Sequence, residues 1–165
     1  MAKRKKRKKL PSFRLLERKA DKAMSLYIRT ISIKLYDKCP LCGINDIKCC
    51  FHFVSRRRKV IRWKEMNTVG ACNTCNYIEN YWSDLSRAWF IKTRGVKAYL
   101  DLVEESKQSK NFSREELAEI AKEYQSKLAA LEGNDVQAEE DPPDSHKSCT
   151  DSGTDTVTPG GAINP

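Results

Sequence analysis

Two closely spaced cysteine pairs constrain this chain more than any other feature of its sequence. Cys39 and Cys42 form one C-x-x-C pair, Cys72 and Cys75 form the other, and 29 residues separate the pairs. A C-x-x-C turn curls the backbone so that both thiolates face one ion, and two such turns complete a tetrahedral all-sulfur shell that suits Zn²⁺. The spacing therefore predicts one structural zinc site that leaves no coordination position open for catalysis.

The cysteine count also bears on where the protein works. The chain has seven cysteines, an odd number that does not favour a disulfide scaffold, and a basic block stands where a secretory signal would be. No apolar run approaches the roughly 20 residues that cross a bilayer. We therefore expect a soluble, cytoplasmic protein in a reducing compartment, where paired cysteines bind metal and a membrane is not a partner.

Charge is divided unevenly along the chain. Residues 1–99 contain 25 Lys or Arg against 7 Asp or Glu, whereas residues 100–165 contain 6 against 15. A basic surface binds a phosphate backbone by releasing condensed counterions, so the first part predicts a nucleic-acid partner. From charge and composition we predict four regions. They are a disordered basic arm 1–11, a zinc-bound nucleic-acid-binding domain 12–110, an amphipathic helix 111–132 and a disordered acidic tail 133–165.

Apolar residues at helical spacing predict several helices. Ser113 and Glu116 form an S-x-x-E capping box, so a helix should run from 113 to 131. This helix either docks on the domain or pairs with a second copy of the chain. Gly95 should interrupt the helical pattern that precedes it. The other predicted helices cover residues 13–30, 73–92 and 96–107.

Between the cysteine pairs the sequence predicts a hairpin. Two β-rich stretches, 49–54 and 59–63, are separated by a turn at Arg56–Lys59. We therefore assign the chain to the α+β class, as a small zinc module of the treble-clef or ββα-metal kind, flanked by further α-helices.

Three polar residues lie where metal-assisted hydrolysis of a phosphodiester needs them. His52 is on the first β-rich stretch, Asn67 is in the loop before the second cysteine pair, and Asn76 follows Cys75 directly. A histidine takes the proton from water, and a helical carboxamide offers its oxygen to a Mg²⁺ or Mn²⁺ ion that His52 also contacts. Asn67 would pin the loop to nearby backbone. This set resembles the site of HNH nucleases; the alternatives are a core histidine and a helix-opening Asn76.

Residues 25–105 contain the motifs Cys39-x-x-Cys42-Gly, His52-Phe53-x-Ser55-Arg56, Arg62-Trp63-x-Glu65-x-Asn67 and Gly70-x-Cys72-x-x-Cys75-Asn76. With these motifs the segment resembles one family, the phage lambda NinG (Rap) recombination proteins. The resemblance implies an endonuclease that cuts branched DNA, such as Holliday junctions, in the cytoplasm of a bacterial host. It makes His52 the base and Asn76 a ligand of the divalent cation. Because cutting a junction takes two active sites, a homodimer is expected.

One position departs from the HNH pattern. Many HNH nucleases have Asp directly before the catalytic His as a second ligand of the cation, whereas this chain has Phe51. Asp84, Glu65 and Asp46 are the acids that we consider as replacements. The departure favours an alternative in which the module binds DNA or RNA without cutting it. A third alternative is a protein-interaction adaptor that uses the helix 113–131 and the acidic tail.

The densest internal run of basic residues lies within the predicted hairpin. Arginine contacts phosphate through two parallel hydrogen bonds, so this run predicts a phosphate clamp beside the candidate site. The alternative is a solvated hairpin tip. The predicted DNA-binding residues are Arg56, Arg57, Arg58, Lys59, Arg62 and Lys64.

Overall fold

The computed structural model of the protein describes residues 11–78 and 83–132. The predicted acidic tail, and the predicted basic arm apart from Pro11, lie outside the described residues. A two-stranded sheet is surrounded by helices, so the α+β class is confirmed. The elements are α1 Phe13–Tyr36, β1 Cys49–His52, α2 Lys59–Arg62, a 3₁₀ turn Glu65–Asn67, β2 Thr68–Ala71, α3 Asn73–Ile78, α4 Ser83–Arg94, α5 Val96–Ser106 and α6 Arg114–Glu132.

The helices α1 and α6 pack against each other along their apolar faces. Leu16, Ala20 and Met24 of α1 lie at helical spacing and are buried together with Leu117 and Tyr124 of α6. Burial of one large apolar side chain contributes about 1.5–3 kcal/mol, so this pairing is a main source of stability. α6 therefore docks on its own chain, which is one of the two arrangements that the sequence predicts.

The start of α6 has the hydrogen bonds that its sequence predicts. At the start of α6, the Ser113 N–H donates to Glu116 Oε2 at 2.7 Å and the Glu116 N–H donates to Ser113 Oγ at 3.1 Å. These two bonds are the predicted capping box.

The predicted end of α1 at residue 30 is too early. The helix continues to Tyr36, because Ser32 lies on its buried face and packs against the sheet.

The sheet consists of β1 and β2, which pair antiparallel. Cys49 is opposite Ala71, and His52 is opposite Thr68. The predicted second strand, 59–63, is therefore wrong, since those residues form α2 and the residue after it.

Contacts with α1, α4 and α5 explain why this β-rich stretch is helical. The helical turn buries Ile61 completely. It also places Lys59 and Arg62 on one side of α2, where they pair with Glu17 and Asp21 of α1. β-Branched residues favour a strand only weakly, and here the tertiary contacts override that preference.

Side chains of β1 alternate between the two faces of the sheet. Cys50 packs on the side of α1, and from β2 the Gly70 N–H donates to Ser32 of α1. Phe51 points the opposite way, into a core that it shares with the cysteine pairs. His52 therefore lies on the face of the sheet that is turned towards α1.

The predicted helix 73–92 is observed as α3 and α4, with residues 79–82 between them outside the described part. After α4, Gly95 has a φ of 89°, in the left-handed region that favours glycine, so the helix ends at the predicted position. The helices α4 and α5 pack together, and Phe90 and Leu102 are buried with Ile61. No helix of the described residues has both the length and the apolar character of a membrane span.

Candidate metal centre and nucleic-acid interface

The four predicted zinc ligands converge in the structure. The sulfur atoms of Cys39, Cys42, Cys72 and Cys75 lie within 4.8 Å of one another. Cys42 Sγ is 3.9 Å from Cys72 Sγ. Sulfurs bound at about 2.3 Å to a tetrahedral Zn²⁺ are about 3.8 Å apart. The cluster can therefore hold a metal ion such as zinc, in a shell that four thiolates complete.

Tight turns and N–H donors place these sulfurs. Gly43 has a φ of 70°, and its N–H donates to the Cys39 carbonyl oxygen at 2.7 Å. The Cys75 N–H donates to Cys72 Sγ at 3.3 Å, and the side-chain amide of Asn45 donates to the same sulfur at 3.7 Å. Hydrogen bonds to sulfur favour the thiolate form, which is the form that binds metal.

The thiols of the cluster differ in acidity. Burial raises the pKa of Cys39 and the pKa of Cys75. Burial also raises the pKa of Cys42, but hydrogen bonds from the backbone of Asn45 and Ile44 outweigh it and lower that pKa to about 6. One thiol is therefore easily ionised, and the charge of a bound cation would favour the thiolate form of the others.

His52 is held at the end of β1 by a backbone carbonyl group. Its Nε2 is 3.2 Å from the carbonyl oxygen of Arg62. Because a carbonyl only accepts, Nε2 carries the proton and Nδ1 keeps its lone pair. Burial lowers the pKa of His52 and the charges of Arg56 and Arg62 lower it further, against the hydrogen bond to Arg62 and the charge of Asp21. The imidazole is therefore neutral near pH 7, with Nδ1 as its basic nitrogen.

Asn67 is fully buried and uses its whole amide group. Its Oδ1 accepts from the Val54 N–H at 2.8 Å, and its Nδ2 donates to the carbonyl oxygens of Val54 at 2.9 Å and Ile61 at 3.2 Å. These bonds tie the segment after β1 to α2, in the loop-pinning manner expected of this residue.

Asn76 lies on α3, one residue after Cys75. The helix contacts β1 through Asn73, whose Oδ1 accepts a hydrogen bond from Cys49 Sγ at 2.8 Å. Within the part of the chain that the structure describes, no hydrogen bond joins Asn76 to His52. The described contacts therefore do not bring these two side chains into one ligand set for a divalent cation.

The position before His52 is a core position. Phe51 is 1% exposed and packs with the cysteine cluster, so it offers no ligand to an ion beside His52. The three acids considered as replacements have cationic partners elsewhere. These pairs are Asp84 with Arg87, Glu65 with Lys127 at 2.6 Å, and Asp46 with Lys38 at 2.7 Å.

Asp21 is the acid near His52 that the sequence analysis missed. Its Oδ1 accepts hydrogen bonds from Arg62 Nε and from Trp63 Nε1, each at 2.9 Å. Arg62 is also the residue whose carbonyl holds His52. Asp21 and Arg62 are 41 positions apart in the chain, and no local pattern marks Asp21, so only the tertiary fold reveals the link.

The predicted DNA-binding residues fall into two groups. Arg56, Arg57 and Arg58 are exposed between β1 and α2, and no salt bridge of residues 11–78 and 83–132 engages them. The other three pair with acids of the same chain. These pairs are Lys59 with Glu17 at 2.8 Å, Arg62 with Asp21, and Lys64 with Glu105 at 2.5 Å. The three exposed arginines are therefore the members of the set that have no acidic partner among the described residues.

Neither a scan against models of protein families nor searches of curated proteins and of solved structures found a match to this chain. The resemblance to NinG proteins and HNH nucleases therefore stays a prediction from the motifs.

Proposed function

We propose that this protein is a metal-dependent DNA endonuclease of the HNH type that acts on branched DNA such as Holliday junctions. The observation that carries the proposal is the bond from His52 Nε2 to the Arg62 carbonyl, in an imidazole that also feels the charge of Arg56, the first of the three consecutive exposed arginines 56–58. A neutral imidazole near a segment of exposed arginines is the arrangement that supports the proposal. Zinc in the four-cysteine cluster would be the scaffold of the module. Because a junction needs two cuts, the proposal includes a homodimer on DNA.

The residues of the chain supply a base and contacts to phosphate. Water attacks the phosphorus atom while its proton passes to Nδ1 of His52. The bond from phosphorus to the leaving sugar oxygen breaks, and that oxygen takes a proton from solvent. The three arginines bind neighbouring phosphates and fix the substrate. The hydrogen bond from Nε2 to the Arg62 carbonyl fixes the orientation of the imidazole ring, which a general base requires.

The divalent cation of this proposal is Mg²⁺ or Mn²⁺, which would neutralise charge that develops on the scissile phosphate. Asn76 offers a carboxamide oxygen, but the one lone pair of the His52 ring is at Nδ1 and takes the proton of water in this proposal. Mg²⁺ and Mn²⁺ moreover prefer several oxygen ligands. Among the described residues, no contact brings an unpaired carboxylate to His52 or Asn76. The described residues alone therefore do not complete the ligand set of such an ion.

The burial of Phe51 favours a second candidate function, the binding of DNA or RNA without cleavage. A ligand of a divalent cation cannot stand at a position that fills the core beside the cysteine cluster. A non-catalytic module would keep the zinc scaffold and the exposed Arg56, Arg57 and Arg58. It would bind nucleic acid in a salt-sensitive manner and turn over no substrate.

Cleavage of a four-way junction and of a linear duplex, with and without Mg²⁺ or Mn²⁺, separates the two functions. We expect ion-dependent cleavage of the junction, and a loss of about hundredfold or more in His52→Ala with DNA binding retained. His146→Ala is the matched control, since the chain has two histidines. Binding without product under either ion would establish the second function. Cleavage by His52→Ala at the wild-type rate would exclude His52 as the base.

A further inference from the structure

The carboxylate of Asp21 accepts three hydrogen bonds from two consecutive residues. Arg62 Nε and Trp63 Nε1 donate to Oδ1 at 2.9 Å, and Arg62 Nη2 donates to Oδ2. The side chains of Arg62 and Asp21 are only 17% and 35% exposed. A bidentate pair that is mostly shielded from water has a fixed geometry, unlike the mobile ion pairs of an exposed surface.

Arg62 connects this pair to the candidate base. Its guanidinium is bound to Asp21, and its carbonyl oxygen is the acceptor for His52 Nε2. The helix α2 is only four residues long and has no side-chain cap, so it has little stability of its own. Its position depends on outside anchors, of which Asp21 is one and the bond from Tyr124 Oη to the Trp63 carbonyl, at 2.6 Å, is another.

We propose that Asp21 is a positioning residue for His52, that it acts through Arg62, and that it holds the imidazole in the tautomer protonated at Nε2. The catalytic consequence rests on the proposed nuclease function, but the tautomer does not. A base is useful only while its lone pair is on the nitrogen that faces the substrate, and a third group commonly enforces this. If the Arg62 carbonyl moves away, the proton exchanges between the two ring nitrogens and part of the population loses the base at Nδ1.

The tautomer can be measured directly by ¹⁵N NMR of the imidazole in the full-length, zinc-loaded protein near pH 8. In the wild type we expect His52 to be protonated at Nε2, and in Asp21→Asn we expect a measurable population protonated at Nδ1. Arg62→Met keeps the carbonyl and removes the guanidinium, so it should cause the same change. In a cleavage assay, Asp21→Asn should lower kcat about tenfold or more and change KM for the junction less than about threefold.

The matched control is Glu17→Gln. It removes the other ion pair between α1 and α2, from Glu17 to Lys59, and leaves Arg62 bound to Asp21. We expect the tautomer of His52 to stay at Nε2 in this variant. The same change in Glu17→Gln as in Asp21→Asn would mean general loosening of α2, and would overturn the specific role of Asp21.

The results distinguish this inference from the nuclease proposal. If wild-type protein cuts no DNA but the tautomer responds to Asp21→Asn, the nuclease proposal fails and the positioning role stands. If DNA is cut and a folded Asp21→Asn keeps both the wild-type tautomer and the wild-type kcat, the positioning role is refuted. Should Asp21→Asn not fold, Arg62→Met and Trp63→Phe test the same contact from the other side, and an unchanged tautomer in both refutes it.

Discussion

The backbone N–H of Gly70 donates a hydrogen bond of 2.8 Å to Ser32 Oγ, across the interface between β2 and α1. A Cβ atom at position 70 would lie 2.6 Å from Ser32 Cβ and 2.7 Å from Ile47 Cγ2. Carbon atoms that are not bonded prefer a separation of about 3.5–4.0 Å. The strand pair that carries His52 can therefore approach α1 this closely only because residue 70 is glycine.

We expect Gly70→Ala to lower the free energy of unfolding by about 1–3 kcal/mol, because the added methyl group overpacks this interface. Denaturant unfolding followed by circular dichroism measures the effect. Ser32→Ala, which removes the hydrogen bond and adds no atom, should cost about 1 kcal/mol. Combining Gly70→Ala with Ser32→Gly should recover part of the loss, since it removes one of the two clashes. Simple additivity in the double variant would contradict the steric explanation.

The cysteine cluster predicts one zinc ion per chain in elemental analysis. Cys72→Ser should lose the ion and lower the melting temperature by about 10 °C or more, because a bound structural metal contributes several kcal/mol to folding. Cys50→Ser is the control. That thiol lies on the α1 side of the sheet, outside the cluster, and burial raises its pKa to about 12. Retention of zinc in Cys72→Ser would show that the ion is held elsewhere, and loss in both variants would show that the loss is not specific to the cluster.

Features encoded by short-range spacing could be predicted from the sequence. The C-x-x-C pairs bring their own turns, so the sequence predicts that these four cysteines converge, and the capping box of Ser113 and Glu116 predicts the start of α6. The prediction of a strand at 59–63 is wrong because contacts with Glu17 and Asp21, which lie some 40 residues earlier, support a helical turn there. Local composition does not contain that information.

The candidate site was likewise predictable only in its local features. The sequence identified His52, Asn67 and a basic run, but a count of charges does not reveal which cations are already paired. Only the folded chain shows that Lys64 is paired with Glu105 while Arg57 is exposed. Partners of this kind are set by the packing of helices on the sheet, and they decide which side chains remain available to a ligand.

The exposed arginines predict a measurable salt dependence of DNA binding. Replacing Arg56, Arg57 and Arg58 together by Ala should weaken binding and reduce the slope of log Kd against log salt concentration by up to about 2.7 for duplex DNA, since each lost phosphate contact contributes about 0.9. Lys64→Ala, which removes a cation already paired with Glu105, should change the slope far less. Equal changes for both variants would show that internal pairing does not decide availability.

The environment of His52 predicts a pH dependence of stability. Burial keeps its pKa in the folded state below the value of about 6.5 in an unfolded chain. The unfolded chain therefore binds more protons as the pH falls, so stability present above pH 6.5 is lost as the pH falls from there towards the folded pKa. Unfolding of wild type and His52→Gln at pH 7.5 and 5.5 measures this loss. We expect the wild type to lose more stability than the variant, and a parallel loss would contradict the assignment.

Arg94 packs over aromatic rings and has no acidic partner among the described residues. Its guanidinium lies 5.2 Å from the ring centroid of Phe53 and 5.6 Å from that of Trp89, and it donates to the carbonyl oxygens of Met66 and Thr68, the latter at 2.9 Å. A lysine has no planar group to stack on these rings or to bridge two carbonyls. We expect Arg94→Lys to cost about 1–3 kcal/mol, against less than about 0.5 kcal/mol for the exposed Arg87→Lys on the same helix.

The same variant should have a local effect near His52. The carbonyls that Arg94 binds flank Asn67, and Asn67 Oδ1 is the acceptor for the Val54 N–H. If Arg94 holds this turn, Arg94→Lys should speed hydrogen exchange at the Val54 amide more than at amides in the middle of α6, because local opening of the turn precedes global unfolding. Equal acceleration at both places would mean that Arg94 stabilises the whole domain and does not specifically hold the loop after His52.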